Sequence, residues 1–139
     1  MILACPHCHK KNRLAADRLG EAPGCGSCGK PLVDGPIDID ADGFAEVMQS
    51  CPLPVVVDFW AAWCGPCRMF APTFEASAQR HANKVLHLKV DTEAQQALAG
   101  QFGIRSIPTL MGFVGGKEVQ RVSGALPPAQ LDQFIAGLS

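Results

Sequence analysis

The sequence has no long hydrophobic run. None of its apolar stretches approaches the roughly 20 residues that a transmembrane helix needs. It has no excess of charge of either sign: 12 Lys and Arg against 13 Asp and Glu leave a net −1. That balance gives no electrostatic ground for nucleic acid or an anionic membrane as the main partner. Internal repeats and low-complexity segments are absent as well. The opening Met1-Ile2-Leu3-Ala4-Cys5 has neither a basic region nor a long apolar stretch after it, so a signal peptide is not expected. The expected location is the cytoplasm, where thiols stay reduced. What is present is 139 residues with a hydrophobic share of 47%, enough for one domain of ordinary size and a small extra unit.

Cysteine is the residue in surplus, with seven copies. In a reducing compartment these read as metal ligands and catalytic thiols rather than structural bridges. Cys5 with Cys8 and Cys25 with Cys28 form two C-x-x-C pairs separated by 16 residues. That spacing is the pattern of a zinc ribbon with one tetrahedral four-cysteine ion. Gly26 and Gly29 allow tight turns, so that backbone amides can point at the thiolates. Residues 1–30 are poor in apolar side chains, and metal binding would supply most of their folding free energy. A rubredoxin-type iron site and two redox-active pairs fit the same four positions. His7 and His9 are expected to face solvent, because four cysteines already close the site. Lys10, Lys11, Arg13 and Arg18 are expected to form a solvated basic face.

The third pair lies in Val55-Val56-Val57-Asp58-Phe59-Trp60-Ala61-Ala62-Trp63-Cys64-Gly65-Pro66-Cys67. The β-branched apolar run predicts a strand buried on both faces. After Gly65-Pro66 the apolar spacing becomes helical, through Phe70, Phe74 and Ala78. Cys64 and Cys67 then share one face of a first helical turn, within reach of a disulfide. The unpaired amides and dipole of that helix start favour a thiolate at Cys64. This is a site for dithiol–disulfide exchange: Cys64 attacks, a mixed disulfide forms, and Cys67 resolves it. Asp58, an acid inside an apolar strand, is the candidate base, its pKa raised by desolvation.

Around this stretch the order is β-α-β-α-β-α-β-β-α, an α/β arrangement of a central mixed sheet with helices on both sides. Pro31 to Pro36 reads as a linker, Ile37 to Ile39 as a short strand, and Asp40 as the cap of a helix running to Ser50. Cys51 is a small packed side chain at that helix end. Pro72 is expected to kink the active-site helix. Residues 85–90 form a strand and 94–102 a helix. Strands 109–114 and 118–122 flank a turn at Gly115-Gly116, and 128–138 closes the chain as a helix.

Val-Asp-Phe-Trp followed by Trp63-Cys64-Gly65-Pro66-Cys67, with Ile107-Pro108-Thr109 downstream, resembles the thioredoxin family from about Ile37 to Leu138. With the four cysteines ahead of it, the chain is similar to the zinc-ribbon-containing bacterial type often called thioredoxin 2. The resemblance implies a thioredoxin fold over 37–139, behind a ribbon at 1–30 and a linker at 31–36. It implies proton transfer by Asp58, a nearby modulating lysine at Lys89, and a cis-proline at Pro108. It also implies a substrate surface of Trp63, Ile107, Pro108, Gly124 and Ala125. Protein disulfides would be the substrates and an NADPH-dependent thioredoxin reductase the electron source, with a monomer as default and no bound organic cofactor. Gly65-Pro66 between the cysteines points to a reductant rather than an oxidant. A redox-sensing zinc module or holdase, with exchange incidental, is the alternative from another class.

Overall fold

In the computed structural model, which describes residues 1–138, two sheets share the chain. Ser139, taken as the last residue of the catalytic unit, lies outside the described residues. The first sheet is a small antiparallel pair, β1 (Ile2–Ala4) and β2 (Lys11–Arg13), followed by a 3-10 turn at Ala16–Glu21. The second has five strands: β3 (Ile37–Asp38), β4 (Val55–Trp60), β5 (Leu86–Asp91), β6 (Thr109–Val114) and β7 (Lys117–Ser123). Their spatial order is β3-β5-β4-β6-β7. The first two neighbouring pairs are parallel and the last two antiparallel. This is the expected mixed sheet. Gly115 (φ 60°) and Gly116 (φ 78°) turn the β6–β7 hairpin, both in the left-handed region that favours glycine. No helix among the described residues is long and apolar enough to cross a membrane.

Helices cover both faces. α1 (Ala41–Ser50) starts at Asp40, whose carboxylate accepts the Gly43 amide at 2.8 Å. The active-site helix α2 (Gly65–Arg80) runs through Pro72 as one continuous element. α3 (Gln96–Gln101) is shorter than the spacing predicts, with Phe102 as its C-cap just before Gly103 (φ 63°). α4 (Pro128–Ala136) stops two residues short of the expected end.

Alternation along β4 decides which layer each residue meets. Val55, Val57 and Phe59 point into one core with Phe44, Leu88 and Phe113, on the α1 side. Val56 points into the other, with Phe70, Phe74, Leu131 and Ile135 from α2 and α4. Asp58 follows Val56 at the same period and therefore faces the α2 side, the side of the cysteine helix.

The apolar residues at the N-terminus, few as they are, do not form a core of their own. Leu3, Cys5, Leu19 and Cys25 belong to the same buried cluster as the α1 side of the large sheet. Within the expected linker, Leu32 and Val33 are buried in that cluster too, and the Val33 carbonyl accepts the Asn83 amide at 3.0 Å. The small unit is packed on the large one.

Candidate active site and metal centre

Cys64 is the N-cap of α2 and is joined to Cys67 by a disulfide, with Cα atoms 5.2 Å apart. Its sulfur accepts the Cys67 amide at 3.2 Å, one of the helix-start donors that lack a carbonyl partner. The Ile107 carbonyl oxygen lies 3.7 Å from the same sulfur. The two cysteines are equally enclosed in this oxidised state, at 4% and 3% exposure. They pack with Ala61, against Trp60 and Ile107. Between the cysteines Gly65 is half-buried and Pro66 exposed, and a Cβ at Gly65 would meet nothing within 4 Å.

Asp58 is 1% exposed, and neither carboxylate oxygen has a hydrogen-bond partner among the described residues. Burial pushes its pKa up to about 7, with the charge of Lys89 pulling the other way. Lys89 faces Asp58 directly across the β4–β5 pairing. Its Nζ lies 4.4 Å from the centre of the Trp60 ring, so the cation rests on an aromatic face rather than in a carboxylate bridge.

Of the expected surface residues, Ile107 packs against the cysteine pair. Trp63 is 66% exposed, and its indole N–H donates to Glu93 Oε1 at 2.6 Å. The Ile107-Pro108 bond is cis, and the Pro108 carbonyl accepts the Gly124 amide at 2.8 Å. Gly124 (φ 101°) and Ala125 are exposed beyond it. Sequence reasoning missed Glu93 as the partner of Trp63, since an exposed acid in a turn carries no pattern. It also missed His87, buried against Ser77 Oγ at 2.9 Å and pushed down to about 3 by that burial. Cys51 is half-buried, its thiol pushed up by desolvation and directed at the Leu53 carbonyl, in keeping with a packing role.

At the other end, the sulfurs of Cys5, Cys8, Cys25 and Cys28 lie within 4.8 Å of one another. Zinc–sulfur bonds of about 2.3 Å in a tetrahedron place the sulfurs about 3.8 Å apart. The Cys5–Cys28 and Cys8–Cys25 separations of 3.7 and 3.6 Å match that edge. The Cys5 sulfur accepts the His7 and Cys8 amides at 3.3 and 3.5 Å. The Cys25 sulfur accepts those of Ser27 and Cys28 at the same distances. Those bonds stabilise thiolates, the form a metal needs. The Cys28 amide, the Asn12 side chain and the Ser27 amide hold Cys25 down to about 6. The donor set fits one tetrahedral zinc ion. His9 is solvent-facing as expected, while the exposed His7 reaches Asp34 at 2.6 Å. Lys10, Lys11, Arg13 and Arg18 are all exposed.

Comparison with known proteins agrees with this geometry. The thioredoxin family profile matches residues 36–137, and the profile described as "Thioredoxin 2, N-terminal", a zinc ribbon, matches residues 4–30. Thioredoxin C-3 of Corynebacterium nephridii is 40% identical over 97% of this chain and 93% of its own length. Thioredoxin 1 of a Nostoc species is 52% identical over 65% of this chain and 83% of its own. Among solved structures, a mutant thioredoxin from Halobacterium salinarum superposes with a TM-score of 0.70 at 32% identity, covering 76% of this chain and 92% of that one. Malassezia sympodialis thioredoxin superposes with a TM-score of 0.66 at 38% identity, covering 72% and 87%. With a cysteine pair bonded at the head of α2 in the same fold, the chain belongs to the thioredoxin family and is a thiol–disulfide oxidoreductase, a protein-disulfide reductase preceded by a zinc ribbon.

Proposed function

We propose that Cys64 and Cys67 act in turn, Cys64 as nucleophile and Cys67 as resolving thiol. The supporting observation is the seat of Cys64 at the α2 N-cap, with the Cys67 amide on its sulfur. In the reduced chain that seat favours a Cys64 thiolate. It attacks one sulfur of a substrate disulfide, whose S–S bond breaks as the mixed disulfide forms and one substrate thiolate leaves. Cys67 then gives up its proton and attacks the Cys64 sulfur. The intramolecular bond closes, the second substrate thiolate leaves, and two electrons have passed to the substrate.

Asp58 is the base for Cys67. A carboxyl at about 7 exchanges a proton near neutral pH, and Lys89, by opposing the rise, sets where in pH that exchange falls. Gly65 and Pro66 space the pair. Trp63, Ile107, Pro108, Gly124 and Ala125 form the docking face, on which an extended substrate segment pairs with the Ile107 backbone. A face read mostly through backbone accepts many protein disulfides rather than one.

An NADPH-dependent thioredoxin reductase restores the dithiol. The protein acts as a cytoplasmic monomer, divided into a ribbon at 1–30, a linker at 31–36 and a catalytic domain at 37–139. Cys5, Cys8, Cys25 and Cys28 hold the zinc. Because the ribbon shares a core with the sheet, the metal supports the catalytic unit and thereby modulates its redox behaviour or choice of partner.

Equilibration in graded thiol–disulfide buffers tests the direction of the reaction. The expected midpoint of the Cys64–Cys67 couple is about −270 mV, the general value for thioredoxins. A midpoint near about −120 mV would mark an oxidant. A pair that does not titrate would leave a zinc-binding module with incidental exchange.

A further inference from the structure

The ribbon is built from two copies of one turn. The Cys5 amide donates to the Lys10 carbonyl and the Cys25 amide to the Lys30 carbonyl, both at 2.8 Å. His9 to Cys5 and Gly29 to Cys25 follow at 2.9 Å each. Pairing extends the match outward, with Ala4 opposite Lys11 and Gly24 opposite Pro31. One residue further the two copies part: the first has Asn12 where the second has Leu32. Leu32 is 1% exposed, in the core shared with the catalytic sheet. Asn12 is half-buried and spans the gap between the two turns. Its Nδ2 donates to the Lys10 carbonyl at 3.1 Å and to the Cys25 sulfur at 3.5 Å, and its Oδ1 accepts the Gly26 amide at 2.9 Å.

We propose that Asn12 is the positioning residue of the metal centre, tying the two cysteine turns together and delivering a third N–H to the Cys25 sulfur. The inference rests on the reading of the four cysteines as a zinc site. Four thiolates around one Zn²⁺ carry a net charge of −2, and each N–H aimed at a sulfur spreads part of it. Cys5 receives two such amides from its own turn, whereas Cys25 receives two and the Asn12 side chain besides. Cys25 is buried and Cys28 is exposed. Ligand loss therefore starts at Cys28 and reaches Cys25 last. The repeat thus divides two tasks between equivalent positions: Leu32 anchors the ribbon to the core, and Asn12 closes the metal site.

The test uses the full zinc-loaded protein, as wild type, Asn12→Ala and Asn12→Asp. Alanine removes all three bonds. Aspartate keeps an acceptor for Gly26, loses the donor to Cys25 and adds a negative charge beside the thiolates. Wild type is expected to hold one zinc per chain. In competition with a chromogenic chelator, both variants are expected to bind zinc about 10-fold more weakly or worse, the range for partners of metal ligands. With cobalt(II) in place of zinc, the sulfur-to-metal charge-transfer band should move to lower energy in both variants, a shift that a purely structural role would not produce. Far-UV circular dichroism of the loaded proteins verifies that the fold is retained. Wild-type affinity with an unmoved band in both variants would overturn the inference alone. Wild-type behaviour in Asn12→Asp only would overturn the donor role to Cys25. A wild-type chain that binds no zinc would overturn the metal reading and this inference with it.

Discussion

Replacing Asp58 by asparagine should stabilise the oxidised protein, and by an amount that depends on pH in a definite direction. The unfolded chain releases the Asp58 proton near the ordinary 3.8, whereas the folded chain keeps it until about 7. Between those values the folded state binds more protons, so the wild-type carboxyl makes stability fall as pH rises. The slope is about 1.4 kcal/mol per pH unit for one proton. Across a window of about three units the cost levels off at about 4 kcal/mol above pH 7. The asparagine side chain has nearly the same shape and does not ionise. Denaturant unfolding of both proteins, metal-loaded and oxidised, at pH 5 and pH 8 should show the advantage of the variant growing by about 2–3 kcal/mol. The zinc site and every other titrating group are common to both chains and cancel. A difference that stays constant with pH, or grows towards acid, would refute the assignment of a buried, raised carboxyl at this position.

The same Asp58→Asn variant should reduce protein disulfides more slowly at neutral pH, with the loss concentrated in the resolving step; single-turnover kinetics on the folded variant measure it. Cys67→Ser should accumulate a mixed disulfide with substrate through Cys64, seen as a covalent adduct on non-reducing gels, while Cys64→Ser should form none. Leu32→Ala should cost about 2–5 kcal/mol, and the loss should appear in the unfolding of the catalytic sheet, because Leu32 sits in that shared core; unfolding of the ribbon alone would contradict it. Chelating the zinc should release the ribbon turns and lower the melting temperature of the whole chain, followed by circular dichroism with and without metal. Gly112→Ala should destabilise by about 1–3 kcal/mol by overpacking, since a Cβ there would collide with the Leu138 side chain; denaturant unfolding against wild type reads the difference.

Much of the site was legible because its signals are local. A C-x-x-C at a strand-to-helix junction is a spacing, and spacing survives in one dimension. An acid within Val-Val-Val-Asp-Phe-Trp announces its own burial by its neighbours. The turns that hold the four metal thiolates are equally local, each closed by amides within five residues of its cysteine. What was not legible came from contacts between distant segments. The Ile107 loop beside Cys64 is expected only through the family resemblance, not from spacing. The shortness of α3 and the direction of the Lys89 cation onto Trp60 depend on packing that periodicity does not encode.

By itself the sequence determined the layered α/β order, the redox pair, the buried acid and the four-cysteine set, since each rests on near-neighbour geometry or on the hydrophobic period. Only the tertiary structure decided that the ribbon has no core of its own. Leu3 and Leu19, even with Leu32 and Val33 of the linker, are too few to exclude water among themselves, and they become buried by completing the α1 side of the catalytic sheet. The tertiary structure also separated Asn12 from Leu32. Two equivalent places in one repeated turn face different surroundings, one the second turn and the other the core, and no property of the turn itself distinguishes them.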